Sequence, residues 1–126
     1  MTPRVISLDD LCIHQVCLSG TCDFASSVGV LVDAQIKRTA IWNPMVEAVG
    51  EAEALSIWKD SGLVADSLCA AELGAGSDHL RAMLDRADSF DARTVVMITG
   101  GFGPNSAAGC DWQTIDDARA ELVDRL

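Results

Sequence analysis

Residues 93–101 read Arg-Thr-Val-Val-Met-Ile-Thr-Gly-Gly, and the stretch from Thr94 to Thr99 is apolar almost throughout. A short run rich in β-branched residues and closed by glycines predicts a strand. A strand with no polar alternation is one covered on both faces, the usual condition of a parallel sheet packed against helices. Three earlier runs have similar character: Leu11 to Leu18 (LCIHQVCL), Arg38 to Trp42 (RTAIW) and Leu63 to Ala70 (LVADSLCA). The four runs begin roughly 25 to 31 residues apart, the spacing of repeated strand–helix units.

The intervals between them carry helical patterns with readable ends. Asp23 is placed to cap a helix with Phe24, Val28, Leu31 and Val32 on one face. Asn43-Pro44 predicts another start, an N-cap followed by proline, for a helix bearing Met45, Val49, Leu55 and Trp58 and stopping at Gly62. Ser77 is placed to cap a third, with Leu80, Met83, Leu84 and Ala87 inward. Thr114 and Asp117 resemble a capping box for a last helix whose stripe is Ile115, Ala118, Leu122 and Val123. Gly100 to Asp111 (GGFGPNSAAGCD) is the one long irregular segment.

Alternating strands and helices predict an α/β fold with a parallel sheet and right-handed crossovers. Eight such units would fill the roughly 250 residues typical of a (β/α)8 TIM barrel. The 126 residues therefore predict about four βα units, a half-barrel, in a single partial barrel domain spanning residues 1–126. The alternative is a small open flavodoxin-like parallel sheet, which is complete at this length. That fold usually carries a glycine-rich phosphate loop after its first strand, whereas here the strand leads into Ser19-Gly20-Thr21-Cys22.

Composition narrows the function classes. Apolar residues make up 49% and charged residues 22%, which argues against intrinsic disorder. The net charge of −10, from 19 acidic and 9 basic side chains, argues against nucleic acid or an anionic membrane as a partner. The N-terminal residues do not resemble a signal peptide, and no apolar run reaches the roughly 20 residues of a membrane span. A soluble, cytoplasmic protein is the expectation. The five cysteines sit within apolar segments and are read as reduced core residues. Cys12, Cys17 and Cys22 are spaced by fives, but without the paired spacing of a structural zinc site.

The ordered set of segments resembles the sugar phosphate isomerase/epimerase family, of the xylose isomerase-like TIM barrel superfamily. Residues 11–18 and 38–42 resemble its opening units. Residues 60–69 (DSGLVADSLC) resemble the end of its second helix and its third strand, and residues 93–101 its fourth strand with the glycine pair at the barrel mouth. The resemblance runs from Leu11 onward and covers the N-terminal half of such a barrel. It implies proton transfer beside a carbonyl, with a divalent metal (Mn, Mg or Zn) polarising the oxygens. In the family that metal is held by acidic and histidine residues on strands five to eight, so no metal ligand carries over to this chain. Endonuclease members of the superfamily use histidines after strands three and four. Glu72 and Gly100-Gly101 stand there instead, which disfavours that role.

Barrel chemistry sits where strands end and the following loops begin. The candidates meeting that condition are His14, with Gln15 beside it, Trp42, Glu72, Gly100 and Gly101. His14 would be a neutral donor or proton carrier, against the plainer role of a hydrogen-bonded core histidine. Trp42 would form an apolar wall for a sugar ring, or pack a helix on the barrel. Glu72 would accept substrate hydroxyls or act as a base, or be a solvated loop glutamate. Gly100 and Gly101 would let the backbone approach a ligand. These residues predict a small-molecule sugar or sugar-phosphate partner, and no catalytic residue or bound metal is assigned to this chain. The function expected is that of an isomerase/epimerase family protein lacking its metal-binding half, inactive on its own. The alternative is a non-catalytic half-barrel serving as an interaction or assembly module. Open sheet edges add the expectation of a homo-oligomer.

Overall fold

Four parallel strands lie in their order along the chain: β1 (Cys12–His14), β2 (Arg38–Trp42), β3 (Val64–Glu72) and β4 (Val95–Ile98). They belong to a computed structural model that describes residues 5–72 and 75–98, with helical positions at 117, 119, 120, 123 and 124. Four helices fall between the strands: α1 (Phe24–Asp33), α2 (Asn43–Val49), α3 (Glu51–Ser61) and α4 (Ser77–Ser89). The order β1-β2-β3-β4 is that of consecutive units in a barrel. A doubly wound sheet reverses its order at a switch point, and no reversal occurs among the described strands. The loop 100–111 and the start of the last helix, predicted at Thr114, lie outside the described residues. Val123, expected on that helix's apolar stripe, is exposed.

Local chemistry explains the element boundaries. Asp23 caps α1 as expected, its side chain accepting the Ser26 N–H at 2.8 Å. Phe24, Val28 and Leu31 are buried, but Val32 faces solvent, because the buried stripe is narrower than the apolar pattern. The single helix expected between Asn43 and Gly62 is two. Gly50, at φ 94°, closes α2 and opens α3, a conformation that L side chains rarely adopt. Gly62 ends α3 in the left-handed region, φ 70°, as the sequence predicts. Asn43 is the first helical residue rather than the cap. Its buried side chain donates to Glu47 Oε1 at 2.9 Å and accepts from Arg86. Arg86 also reaches Glu51 at 2.9 Å, so one guanidinium of α4 ties down both α2 and α3.

Strand β1 ends four residues before the predicted Leu18. The His14 side chain accepts the Val16 N–H and turns residues 15–17 into a 3-10 helix. Strand β3 instead runs past its predicted end at Ala70 to Glu72, with register shifts opposite Thr39/Ala40 and between Cys69 and Ala71. Those shifts put Ala65, Leu68 and Ala71 together in the core, a spacing of three that no simple strand period gives.

All four helices contribute to one apolar cluster on one face of the sheet, with Ile41, Leu68 and Ala71 supplied by the strands. At its centre Phe90, just past α4, meets Phe24 edge-on at 6.4 Å and Trp58 at 6.0 Å between ring centroids. Within α4, Met83 and Ala87 are buried, whereas Leu84, expected inward, is 52% exposed. Because Phe90 is almost fully buried between two other rings, Phe90→Ala should destabilise the fold by about 3–5 kcal/mol. The check is the shift in urea midpoint at unchanged slope.

Candidate functional site

The second face of the sheet carries the polar chemistry. Register places Cys12 beside Arg38 and His14 beside Ala40, then Ala40 beside Ser67, Trp42 beside Cys69 and Cys69 beside Val96. Glu72 lies beside Ile98 at the C-terminal limit of the sheet. His14, Trp42 and Glu72 are the last residues of three parallel strands and stand at the same end. Glu72 is exposed, and it is the final strand residue rather than part of a loop. Gly100 and Gly101 lie outside the described residues.

The structure brings two of the predicted residues into contact. The His14 and Trp42 rings meet edge-on, centroids 5.8 Å apart. His14 Nδ1 accepts the Val16 N–H at 3.1 Å. An accepting ring nitrogen carries no proton, so the neutral ring holds its proton on Nε2. Burial lowers the His14 pKa, which keeps the ring neutral near pH 7. The side chain therefore offers one N–H donor beside an indole. Trp42 also lines a cleft of about 590 Å3 with Cys22, Phe24, Pro44, Met45 and Val49.

Gln15 has a different task. Its fully buried amide accepts the Trp42 N–H at 3.0 Å and donates to Ser27 Oγ at 2.9 Å. Ser27 Oγ donates in turn to the Phe24 carbonyl at 2.7 Å. One side chain thus fixes the end of β2 and the first turn of α1 against the end of β1. It positions the site and leaves no polar atom for a ligand.

Sequence reasoning missed a second cluster nearer the strand starts. Arg38 grips Asp66 through two nitrogens, Nε at 2.9 Å and Nη2. The hydrogen bonds from Arg38 hold the Asp66 carboxyl below the usual carboxylate range. Cys12 shares this carboxylate. Partial desolvation of its sulfur, then the bond and charge of Asp66, push its pKa up to about 11. The signal available was Asp66 itself, a charge inside a run otherwise read as a buried strand.

This placement corrects the expectation of core cysteines. Among the described residues Cys12, Cys17, Cys22 and Cys69 are free thiols, and only Cys69 is buried, because β1 ends before Cys17 and Cys12 faces away from the helices. Thiol labelling at pH 7 should therefore modify Cys17 first. Cys12 should follow slowly, its rate rising about tenfold per pH unit toward 11, while Cys69 waits for unfolding. Mass spectrometry of timed reactions reads that order. His14 gives a pH test. Its folded pKa lies below its unfolded value, so the folded state resists protonation. Stability from this group is intact above the unfolded value near 6.5 and falls as pH drops through the folded one. NMR titration of its ring protons should give a midpoint below 6.5.

Comparison with known proteins gives a likeness in structure. No family model matches the chain, and no curated protein matches it. The crystal structure of protein SMc04130 from Sinorhizobium meliloti 1021 superposes with a TM-score of 0.79 at 25% sequence identity. The match covers 94% of this chain and 44% of that one, so the chain spans less than half the length of this structural neighbour.

Proposed function

We propose that this chain is the substrate-contact half of a sugar or sugar-phosphate isomerase/epimerase barrel, with His14, Trp42 and Glu72 at its mouth. The observation that carries this reading is the His14–Trp42 contact at the C-terminal end of a parallel sheet, with the imidazole in its neutral Nε2–H form. A sugar presents an apolar C–H face and a rim of hydroxyls. An indole suits the first, a neutral N–H donor and a carboxylate acceptor suit the second. Gly100 and Gly101 join the site on the family resemblance alone. Free thiols among the described cysteines support a reducing compartment, the cytoplasm. No helix among the described residues is long and apolar enough to cross a membrane.

The family's divalent metal does not fit the donors on this face. Asp66 is committed to Arg38, and the His14 Nδ1 lone pair to a backbone N–H. Among the described residues no three His, Cys, Asp or Glu side chains converge on a point. The role left to these residues is to bind and orient.

Titration with ketohexoses and ketose phosphates, followed through the Trp42 indole N–H and His14 ring signals, tests the reading. Saturable shifts are expected for both residues, and Trp42→Ala should weaken binding about tenfold. Ligands at about 10 mM that move neither signal would refute the site. Assays with added manganese or magnesium should show no epimerisation by this chain alone, and metal-dependent turnover would contradict the half-site reading.

A further inference from the structure

The cleft beside Trp42 lies between the starts of α1 and α2, which follow the C-terminal ends of β1 and β2, so it opens at the same end of the sheet as the mouth. One wall is a single face of α2, where Pro44 and Ala48 stand one turn apart, as do Met45 and Val49. The other wall is the segment leading from β1 into α1. Ser19 and Asp23 are exposed at its rim, and Cys22 beside them is half-buried. Buried Phe24 and Met45 close the floor.

A volume of about 590 Å3 is that of a small-molecule site, and two observations define what it takes. The first is continuity. Trp42 meets the His14 ring at the mouth and also lines the cleft, so groups bound at the two places are neighbours on one ligand. The second is charge. Asp23 carries the one charge among the described lining residues, and no lysine, arginine or histidine is among them. Its hydrogen bond from the Ser26 N–H holds the carboxyl below the usual carboxylate range, so it is negative at pH 7. An anionic group in the cleft meets that carboxylate with no cation to offset it.

Granted the sugar reading above, on which this rests, we propose that the cleft seats an uncharged apolar arm of the ligand held at His14 and Trp42. The substrate class is then a sugar bearing an aromatic or aliphatic substituent, with no phosphate at that end. Burial of the arm against Phe24 and Met45 supplies affinity. Asp23 supplies discrimination, since it repels an anionic arm and leaves a neutral one alone.

The probes are fructose, its benzyl ethers at the first and at the last carbon, the matching para-carboxybenzyl ethers, and benzyl alcohol alone. NMR titration reads binding. The rate at which iodoacetamide modifies Cys22, set against that of Cys17, which does not line the cleft, reads occupancy. One benzyl ether should bind about tenfold more tightly than fructose and slow modification of Cys22 but not of Cys17. Its carboxylated counterpart should bind about threefold more weakly than the neutral ether, and Asp23→Asn, which keeps a capping side chain, should close that gap. Ala48→Phe, checked as folded by circular dichroism, should fill the cleft and remove the gain from the benzyl ring. Fructose binding with no gain from either benzyl ether and no protection of Cys22 overturns the proposal and leaves the sugar reading standing. A gain that the added carboxylate leaves untouched also overturns it. Protection of Cys22 by benzyl alcohol in a chain that ignores fructose sinks the sugar reading instead, and retains the cleft as a site for an uncharged apolar group.

Discussion

The amide of Gln15 is the constraint on which the mouth of the sheet depends. It is fully buried, and both of its polar atoms are used. Leaving such a group unpaired costs about 1–3 kcal/mol, so the arrangement admits few alternatives. By accepting the Trp42 N–H it sets the distance between the ends of β1 and β2. By donating to Ser27 it fixes the first turn of α1 on the same point. The His14–Trp42 contact follows, since His14 precedes Gln15 directly and Trp42 is the residue it holds.

The face turned away from the helices is divided along the strand direction. At the strand starts Cys12, Arg38 and Asp66 satisfy one another and form a closed ionic tier. At the strand ends stand His14, Trp42 and Glu72, the donor, ring and acceptor of the proposed sugar site. The four strands thus carry two tiers on this face, as the layers of a barrel interior do. The charged tier gives this face a fixed polar element. Both partners of the Arg38–Asp66 pair keep some exposure, so solvent moderates the cost of losing either one.

Much of this is legible in the sequence, for identifiable reasons. The spacing of apolar runs implies parallel strands, though not their order in the sheet, because every strand is separated from the next by a helical segment, and Asp23 and Gly62 mark boundaries by their own chemistry. Trp42 stands out as a strand end, whereas His14 lies inside the run read as the first strand and becomes its end only through its bond to the Val16 N–H. What stays hidden depends on partners distant in sequence. Gln15 looks like any polar residue until Ser27 and Trp42 are brought to it. The break at Gly50 falls inside an unbroken apolar pattern, and the bulges in β3 disguise which of its residues face the helices. Cys12 and Cys17 mislead because an apolar neighbourhood in sequence is not the same as one in space.

The sequential strand order bears on how the molecule comes to exist. Cross-strand bonds join residues separated by similar lengths of chain: Thr39 to Ile13, Arg38 to Asp66 and Thr94 to Asp66. Each new strand therefore meets a neighbour that has already been synthesised, and none must wait for a distant segment. Short loops closed in this way cost less entropy than the long-range pairings of all-β folds. A chain of this design pairs each strand with the one made just before it, so forming the sheet calls on no segment beyond the next unit.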